Sequence, residues 1–297
     1  MPSSYRVTER SIAATVLAGL QGNISRLGDI QQRLSSGKEI SRPSDSPTGA
    51  VIAMQHRSDI ALVKQYGRNA DDGTGWLGTA DTALSSVVEQ VRRVRDLVLQ
   101  GMSAGAGGSP EAREGIATEV DGIRAATIGE ANSTYLNRPV FGGTTTGAIA
   151  YDTNGFYAGD AGTVQRTVGG NQKVRVDTGG QAVFGTGANQ LFAVLADVAD
   201  HLRTNPTQLG ADLDRLDQAS QKLLSGLSAV GARYNQVDHA RQSADDHVLS
   251  LTAQLSDVED IDLPKTLTDL QLQQTAYQAA LAAGARVVQP SLVDFLR

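Results

Sequence analysis

The chain contains no cysteine among its 297 residues. Disulfides, thiolate metal sites and cysteine nucleophiles are therefore excluded. Aromatic residues are also scarce, at 4% of the chain, although 40% of it is hydrophobic. Its core must therefore be built from Leu, Val, Ile and Ala, which suits thin helical bundles better than a thick globular core.

Three further signals are missing. The net charge is −6, whereas a protein that neutralises nucleic-acid phosphates needs a clustered excess of basic residues. Nucleic acid is therefore disfavoured as a partner. No apolar run reaches the length of a membrane span. The first ten residues have no apolar signal-peptide core, so we expect no cleaved secretory signal.

No motif for catalysis or ligand binding has the context it requires. Residues 73–78 fit the dinucleotide fingerprint G-x-G-x-x-G, but residues 64–72 before them are polar and unlike a buried strand. His239 and His247 are too far apart to share a zinc ion, and we expect the histidines at the surface. We therefore predict a protein that is not an enzyme, with no catalytic residue, no cofactor and no metal.

The strongest positive signal is an apolar rhythm of alternating three- and four-residue steps near the C-terminus. Its positions are Leu209, Leu213, Leu216, Ser220, Leu223, Leu227, Val230, Tyr234, Val237, Arg241, Ala244, Val248, Leu251, Leu255 and Val258. This rhythm predicts one helix with a single apolar seam that packs on another helix. At about 1.5 Å per residue the helix would be about 75 Å long, a length typical of rods and polymers.

Similar heptads occupy residues 13–34, 77–98 and 263–295, so helical order is predicted at both ends. We expect a first helix from Thr8 or Ser11 to Ser36, capped by Gly37. A turn follows over residues 41–49, and then a helix over 50–99, in which the glycines between 67 and 78 allow a kink or a break. Further helices are expected from Ser109-Pro110 to Ala131 and over 191–203. Acids and a proline at 257–264 predict a joint before the last helix.

The middle of the chain has a different composition from the helical ends. From Tyr135 to Gly187 it is rich in Gly and Thr, with short alternating runs at 163–168 and 173–176. These predict short strands joined by glycine turns, with Pro139 at a strand start or edge.

The predicted fold class is therefore mainly α with a small β insert. We expect a long antiparallel helical bundle or coiled-coil rod from both chain ends, with a projecting β-rich domain. The predicted domains are an N-terminal helix at 1–45, a long-helix bundle at 46–138 plus 188–258, the β insert at 139–187, and a C-terminal helix at 259–297.

Ordered segments along the chain resemble the bacterial flagellin family. They are Arg6-Val7-Thr8, Arg26-Leu27, residues 34–38, Arg42-Pro43-Ser44-Asp45 with residues 46–50, Gln65-Tyr66, Arg68-Asn69, Asp72-Gly73, Trp76-Leu77, residues 131–136, residues 140–144 and residues 257–297. Their order and spacing cover most of the chain outside the β insert. Gln289-Pro290-Ser291-Leu292 and the Arg42–Asp45 turn are more similar to the hook–filament junction subunit of this family than to its filament subunits. Ser46 departs from the family, which often has a second Asp there.

The resemblance implies a structural adaptor between the flagellar hook and filament. It implies export of the unfolded chain through the flagellar type III apparatus by an uncleaved signal, and an extracellular location in the flagellum. The implied partners are the first hook-associated protein, flagellin, further copies in a ring, and a cytoplasmic chaperone on the C-terminal helix.

Two groups of residues are the candidate site. The expected assembly interface consists of Leu17, Leu20, Ile24, Leu27, Leu34, Leu267, Leu270, Tyr277, Leu281, Val288 and Phe295. The expected structural turn consists of Arg42, Pro43, Ser44 and Asp45. A flagellin filament subunit is the alternative within the family. A cytoplasmic coiled-coil binding module or small enzyme is the alternative of a different class.

Overall fold

The computed structural model describes residues 9–103 and 108–288. Its elements are α1 (Glu9–Ser36), α2 (Pro47–Met102), α3 (Pro110–Ala131), β1 (Thr134–Tyr135), β2 (Arg138–Pro139), β3 (Gln165–Thr167), β4 (Lys173–Arg175), α4 (Gly180–Phe184), α5 (Leu191–Thr204), α6 (Leu209–Glu259) and α7 (Leu263–Val288). Short 3₁₀ turns at Gly187–Asn189 and Pro206–Gln208 precede α5 and α6. The mainly α class with long helices from both ends is confirmed.

The chain divides into two compact units. The terminal unit contains the described residues up to Ala61 and from Leu249 onward, and the middle unit contains Leu62–Val248. Both α2 and α6 contribute residues to each unit.

The predicted long helix is confirmed as α6. Leu209, Leu216, Leu223, Val230 and Val237 on its seam are fully buried. Tyr234 is the exception among the seam positions before Ala244, because it is 40% exposed.

The break that the glycines of α2 would allow does not occur, because the helix runs without interruption from Pro47 to Met102. Two of its glycines make room for neighbouring side chains instead. A Cβ on Gly73 would lie 3.2 Å from Val176 Cγ1, and one on Gly75 would lie 2.6 Å from the Tyr135 hydroxyl. Close approach of the β insert therefore accounts for Gly73 and Gly75, which would otherwise only weaken the helix, whereas a Cβ on Gly78 would meet nothing within 4 Å.

The helix ends follow the predicted capping chemistry. Ser109 Oγ accepts a hydrogen bond from the Ala112 backbone N–H at 3.1 Å, and Pro110 opens α3. Gly37 ends α1 at φ +69°, and its N–H donates to the Arg33 carbonyl at 2.9 Å. Asp262 Oδ1 accepts from the Lys265 N–H at 3.1 Å, so an acid caps the start of α7 as expected.

The insert contains two antiparallel hairpins. β1 pairs with β2 through a turn in which Leu136 and Asn137 have positive φ values. β3 pairs with β4 in the register Arg166↔Val174, which confirms the predicted strands and the glycine turn between them. The helix α4 within the insert was not predicted.

The core of the middle unit joins the insert to the helices. Phe192 of α5 lies 4.9 Å from the Tyr151 ring and 5.4 Å from the Phe184 ring, measured between centroids. Phe141 packs edge-on against Phe184 at 5.2 Å. A chain poor in aromatic residues thus concentrates its large rings where the insert meets α5.

Candidate assembly surface

The two terminal helices pair inside the terminal unit. Gln273 Nε2 of α7 donates to Asn23 Oδ1 of α1 at 3.2 Å. A Cβ on Gly284 would lie 2.9 Å from Val16 Cγ1, so Gly284 lets the helices approach closely at that point. Since the later residue of α7 meets the earlier residue of α1, the pair is antiparallel.

One row of each helix faces its partner. The half-buried positions recur at steps of three and four, as a helix–helix seam requires. On α1 they include Val16, Leu20, Asn23, Leu27, Ile30 and Leu34, and on α7 they include Thr266, Leu270, Gln273, Tyr277 and Ala280.

A second apolar row lies beside this seam and remains exposed. Leu17 and Ile24 of α1 are 58% and 52% exposed, and Leu263, Leu267 and Leu281 of α7 are 56%, 41% and 44% exposed. These five residues are called the apolar stripe below.

The stripe lies on one side of the helix pair. At about 100° per residue, Leu17 and Ile24 are displaced from the α1 seam in the same rotational sense as Leu263, Leu267 and Leu281 from the α7 seam. When two helices are antiparallel, equal displacements in the same sense point to the same side of the pair. Because Val16 meets Gly284, Leu17 and Leu281 lie at nearly the same level.

The structure therefore divides the expected interface residues into two groups. Leu20, Leu27, Leu34, Leu270 and Tyr277 face the partner helix within the chain, and Leu17, Ile24, Leu267 and Leu281 lie on the exposed stripe. The side chain of Val288 and the whole of Phe295 lie outside the described residues.

A cluster of salt bridges lies between the end of α1 and the start of α7. Lys38 Nζ lies 2.5 Å from Asp260 Oδ1, and Arg57 forms an ion pair with Glu259. The Glu259 side chain is only 5% exposed, and the Glu259 carbonyl accepts from the Glu39 N–H at 2.7 Å. These contacts tie the residues after α1 to the end of α6.

The expected structural turn leads from α1 into α2. Asp45 Oδ2 accepts from the Arg42 N–H at 2.8 Å and from the Ser41 N–H at 3.0 Å. Arg42 Nη2 donates to Gln32 Oε1 at 3.1 Å, which anchors the turn to α1. The structure thus gives Arg42 and Asp45 contacts within the turn, while Pro43 and Ser44 are exposed.

The Asp45 contacts make a testable prediction about pH. The backbone N–H groups of Arg42 and then Ser41 lower the pKa of Asp45 below 3.8, because they stabilise the charged carboxylate. Stability linked to this group is therefore present above the unfolded pKa and is lost as the pH falls through the lowered folded pKa. A carbon-detected NMR titration of Asp45 should give a midpoint below 3.8. A midpoint at or above this value would contradict the turn geometry.

Sequence reasoning missed the ionic contacts of the middle unit, among them a cluster around Asp212. His201 Nδ1 lies 2.6 Å from Asp212 Oδ2, and the Asp212 side chain is only 2% exposed. Arg215 pairs with the same Asp212 and with Asp197. His239 and His247 are exposed, as expected, whereas His201 is partly buried, with 27% of its side chain exposed. No pattern in the sequence signals this contact, because α5 and α6 meet only in the folded chain.

Within residues 9–103 and 108–288, no group of His, Cys, Asp and Glu side chains could hold a metal ion. The helices of the same residues include none that is both long and apolar enough for a membrane span.

Comparisons with known proteins match both ends of the chain to one family. The bacterial flagellin N-terminal helical region matches residues 7–138, and the bacterial flagellin C-terminal helical region matches residues 213–296. The flagellar hook-associated protein 3 of Escherichia coli K12 is 24% identical over 278 residues, 85% of this chain and 87% of that protein. A flagellin of Bacillus subtilis 168 is 26% identical over 299 residues, 96% of each chain.

A solved structure shares the fold. The flagellar junction protein FlgL from Legionella pneumophila superimposes with a TM-score of 0.56 at 15% identity, covering 70% of this chain and 99% of that one. At this identity the likeness establishes the fold alone.

Proposed function

This chain belongs to the bacterial flagellin family of structural flagellar proteins, and we propose that it is the adaptor subunit that joins the hook to the filament. The observation that carries this proposal is the apolar stripe. It presents five large aliphatic side chains, each between 41% and 58% exposed, on one side of the α1–α7 helix pair. An exposed apolar row of this kind marks a surface that another protein covers.

Neighbouring subunits are the occupants that suit a linear stripe. Burial of a Leu or Ile side chain contributes about 1.5–3 kcal/mol when it passes from full exposure to full burial. The stripe residues are about half exposed, so each contributes about half of that on assembly. Further copies in a ring, the first hook-associated protein below and flagellin above would each cover part of the row.

Export in an unfolded state agrees with the way in which the terminal unit is built. The seam of α1 is covered mainly by α7, so neither helix has a complete apolar contact until both are present. Helices with so few partners of their own stay unfolded at low cost. An uncleaved N-terminal signal and a chaperone on α7, which would cover the seam and the stripe before pairing, complete this proposal.

The choice of the junction over the filament rests on the sequence. Gln289-Pro290-Ser291-Leu292 and Arg42-Pro43-Ser44-Asp45 favour the junction subunit. A filament subunit is the second candidate, because the flagellins among its relatives match as much of the chain as the hook-associated proteins do.

A deletion strain of the source bacterium tests the proposal directly. We expect electron microscopy to show bare hooks, and the culture medium to contain shed flagellin monomers. Filaments restored by the intact gene provide the control. Loss of filaments without any other shed flagellin would make this chain the filament subunit, and normal flagella would overturn both proposals.

A further inference from the structure

A basic groove lies in the middle unit where the insert meets α6. Its volume is about 550 Å³. Gly226 forms part of its floor, because a Cβ there would lie 2.8 Å from Val183 Cγ2 of α4. The lining residues that the argument uses are Arg175, Thr178, Lys222 and Arg233.

The groove carries uncompensated positive charge. Arg175 is neutralised by Asp177, whose carboxylate accepts from Arg175 Nη2 at 2.7 Å and from Arg175 Nε at 3.0 Å. Arg233 Nη1 donates at 2.8 Å to the Asp177 backbone carbonyl, a neutral acceptor. Lys222 makes no ion pair with any described residue. No acidic residue is among those that line the groove, so two cations face it without a counter-charge.

A buried hydroxyl in the same wall lacks a partner. Thr178 is 6% exposed, and its Oγ1 makes no hydrogen bond to any described residue. The oxygen itself is buried, so the charge that faces the groove comes from Lys222 and Arg233, and cations of this kind suit an acceptor that carries negative charge.

We propose that this groove binds a carboxylate side chain from a second copy of the chain. Charge complementarity identifies the copy as the donor, because a protein with 32 acidic and 26 basic residues is an acidic partner for its own basic groove. Exposed acids that make no ion pair within the described part of the chain include Asp81, Asp214 and Asp246. The inference rests on the proposed function, since it specifies one contact of the assembled ring.

Zero-length cross-linking in isolated flagella tests this contact. A carbodiimide joins a lysine amine to a carboxylate only where the two touch, so we expect a covalent dimer of the 31.1 kDa chain. Lys222→Arg keeps the charge but removes the reactive amine, so the dimer should be lost while assembly is retained. Lys173→Arg is the matched control, because this exposed lysine of β4 does not line the groove. Peptide mass spectrometry of the dimer identifies the acid.

Charge reversal supplies a second readout. Lys222→Glu should lower the number of flagellated cells at least tenfold, whereas Lys222→Arg should leave it unchanged. Persistence of the dimer in Lys222→Arg, or absence of the dimer in the wild type, would overturn the inference. Protection of Lys222 by citrate without a dimer would assign the groove to a small carboxylic acid and overturn it as well. In each case, bare hooks in the deletion strain would still support the proposed function, whereas normal flagella in that strain would reject the function itself.

Discussion

Leu281→Asp is expected to prevent incorporation of the subunit into the flagellum while the middle unit stays folded. Leu281 is 44% exposed on the apolar stripe and lies level with Leu17. The substitution removes an apolar contact and places a charge where a neighbour would bury it. The two effects together amount to about 3 kcal/mol, which lowers the affinity for a neighbouring subunit about a hundredfold. Swimming in soft agar and electron microscopy of hooks measure the outcome.

Leu272→Asp is the matched control for this experiment. Leu272 lies on the same helix and is 70% exposed, but it points away from the α7 seam and from the stripe. It therefore reports the general effect of a new charge on α7. Normal flagella with Leu281→Asp, or an equal loss with Leu272→Asp, would contradict the assignment of the stripe as the assembly surface.

The second large effect is expected in the core of the middle unit. Phe192 is fully buried among Tyr151 and Phe184, and Phe192→Ala should lower the free energy of unfolding by about 3–5 kcal/mol. Trp76 is the single tryptophan of the chain and is 1% exposed in the same unit. Its fluorescence during urea unfolding therefore reports this unit without an engineered probe.

Phe156→Ala provides the same chemical change at a position that is 69% exposed. Its effect should lie within about 0.5 kcal/mol, as is usual for a surface substitution. Equal destabilisation by the two variants would show that the cluster around Phe192 does not support the core.

The long helices could be predicted because the same apolar period is repeated many times along each of them. The seam of α6 repeats so often that one polar or exposed member, such as Ser220 or Tyr234, does not disturb the period. The caps at Ser109 and Asp262 were equally accessible to sequence reasoning, because each acts on a backbone N–H only three residues away.

The predictions that failed depend on contacts between distant segments. The glycines of α2 were read as weak points, whereas Gly73 and Gly75 admit side chains from the insert. The buried Asp177 gave no sequence signal, because its carboxylate accepts from the Val164 N–H and its backbone carbonyl accepts from Arg233 of α6.

The sequence could predict which apolar positions belong to the candidate site. It could not predict which of them face the partner helix and which lie on the exposed stripe. Leu17 and Leu20 both belong to one heptad pattern, yet Leu20 faces α7 and Leu17 lies on the stripe. A heptad leaves open which edge of a broad apolar face is covered within the chain. The register between Val16 and Gly284 resolves this for the described residues.

The terminal pair also has a consequence for the order of folding. The contact between Lys38 and Asp260 closes a loop of 222 residues, and the contact between Asn23 and Gln273 closes one of 250. Contacts of such high sequence separation form late, because the entropy of loop closure must be overcome first. A chain that is truncated before α7 cannot form the pair at all. The complete stripe is therefore present only on a subunit that contains both α1 and α7, so a truncated chain cannot offer it to a neighbouring subunit.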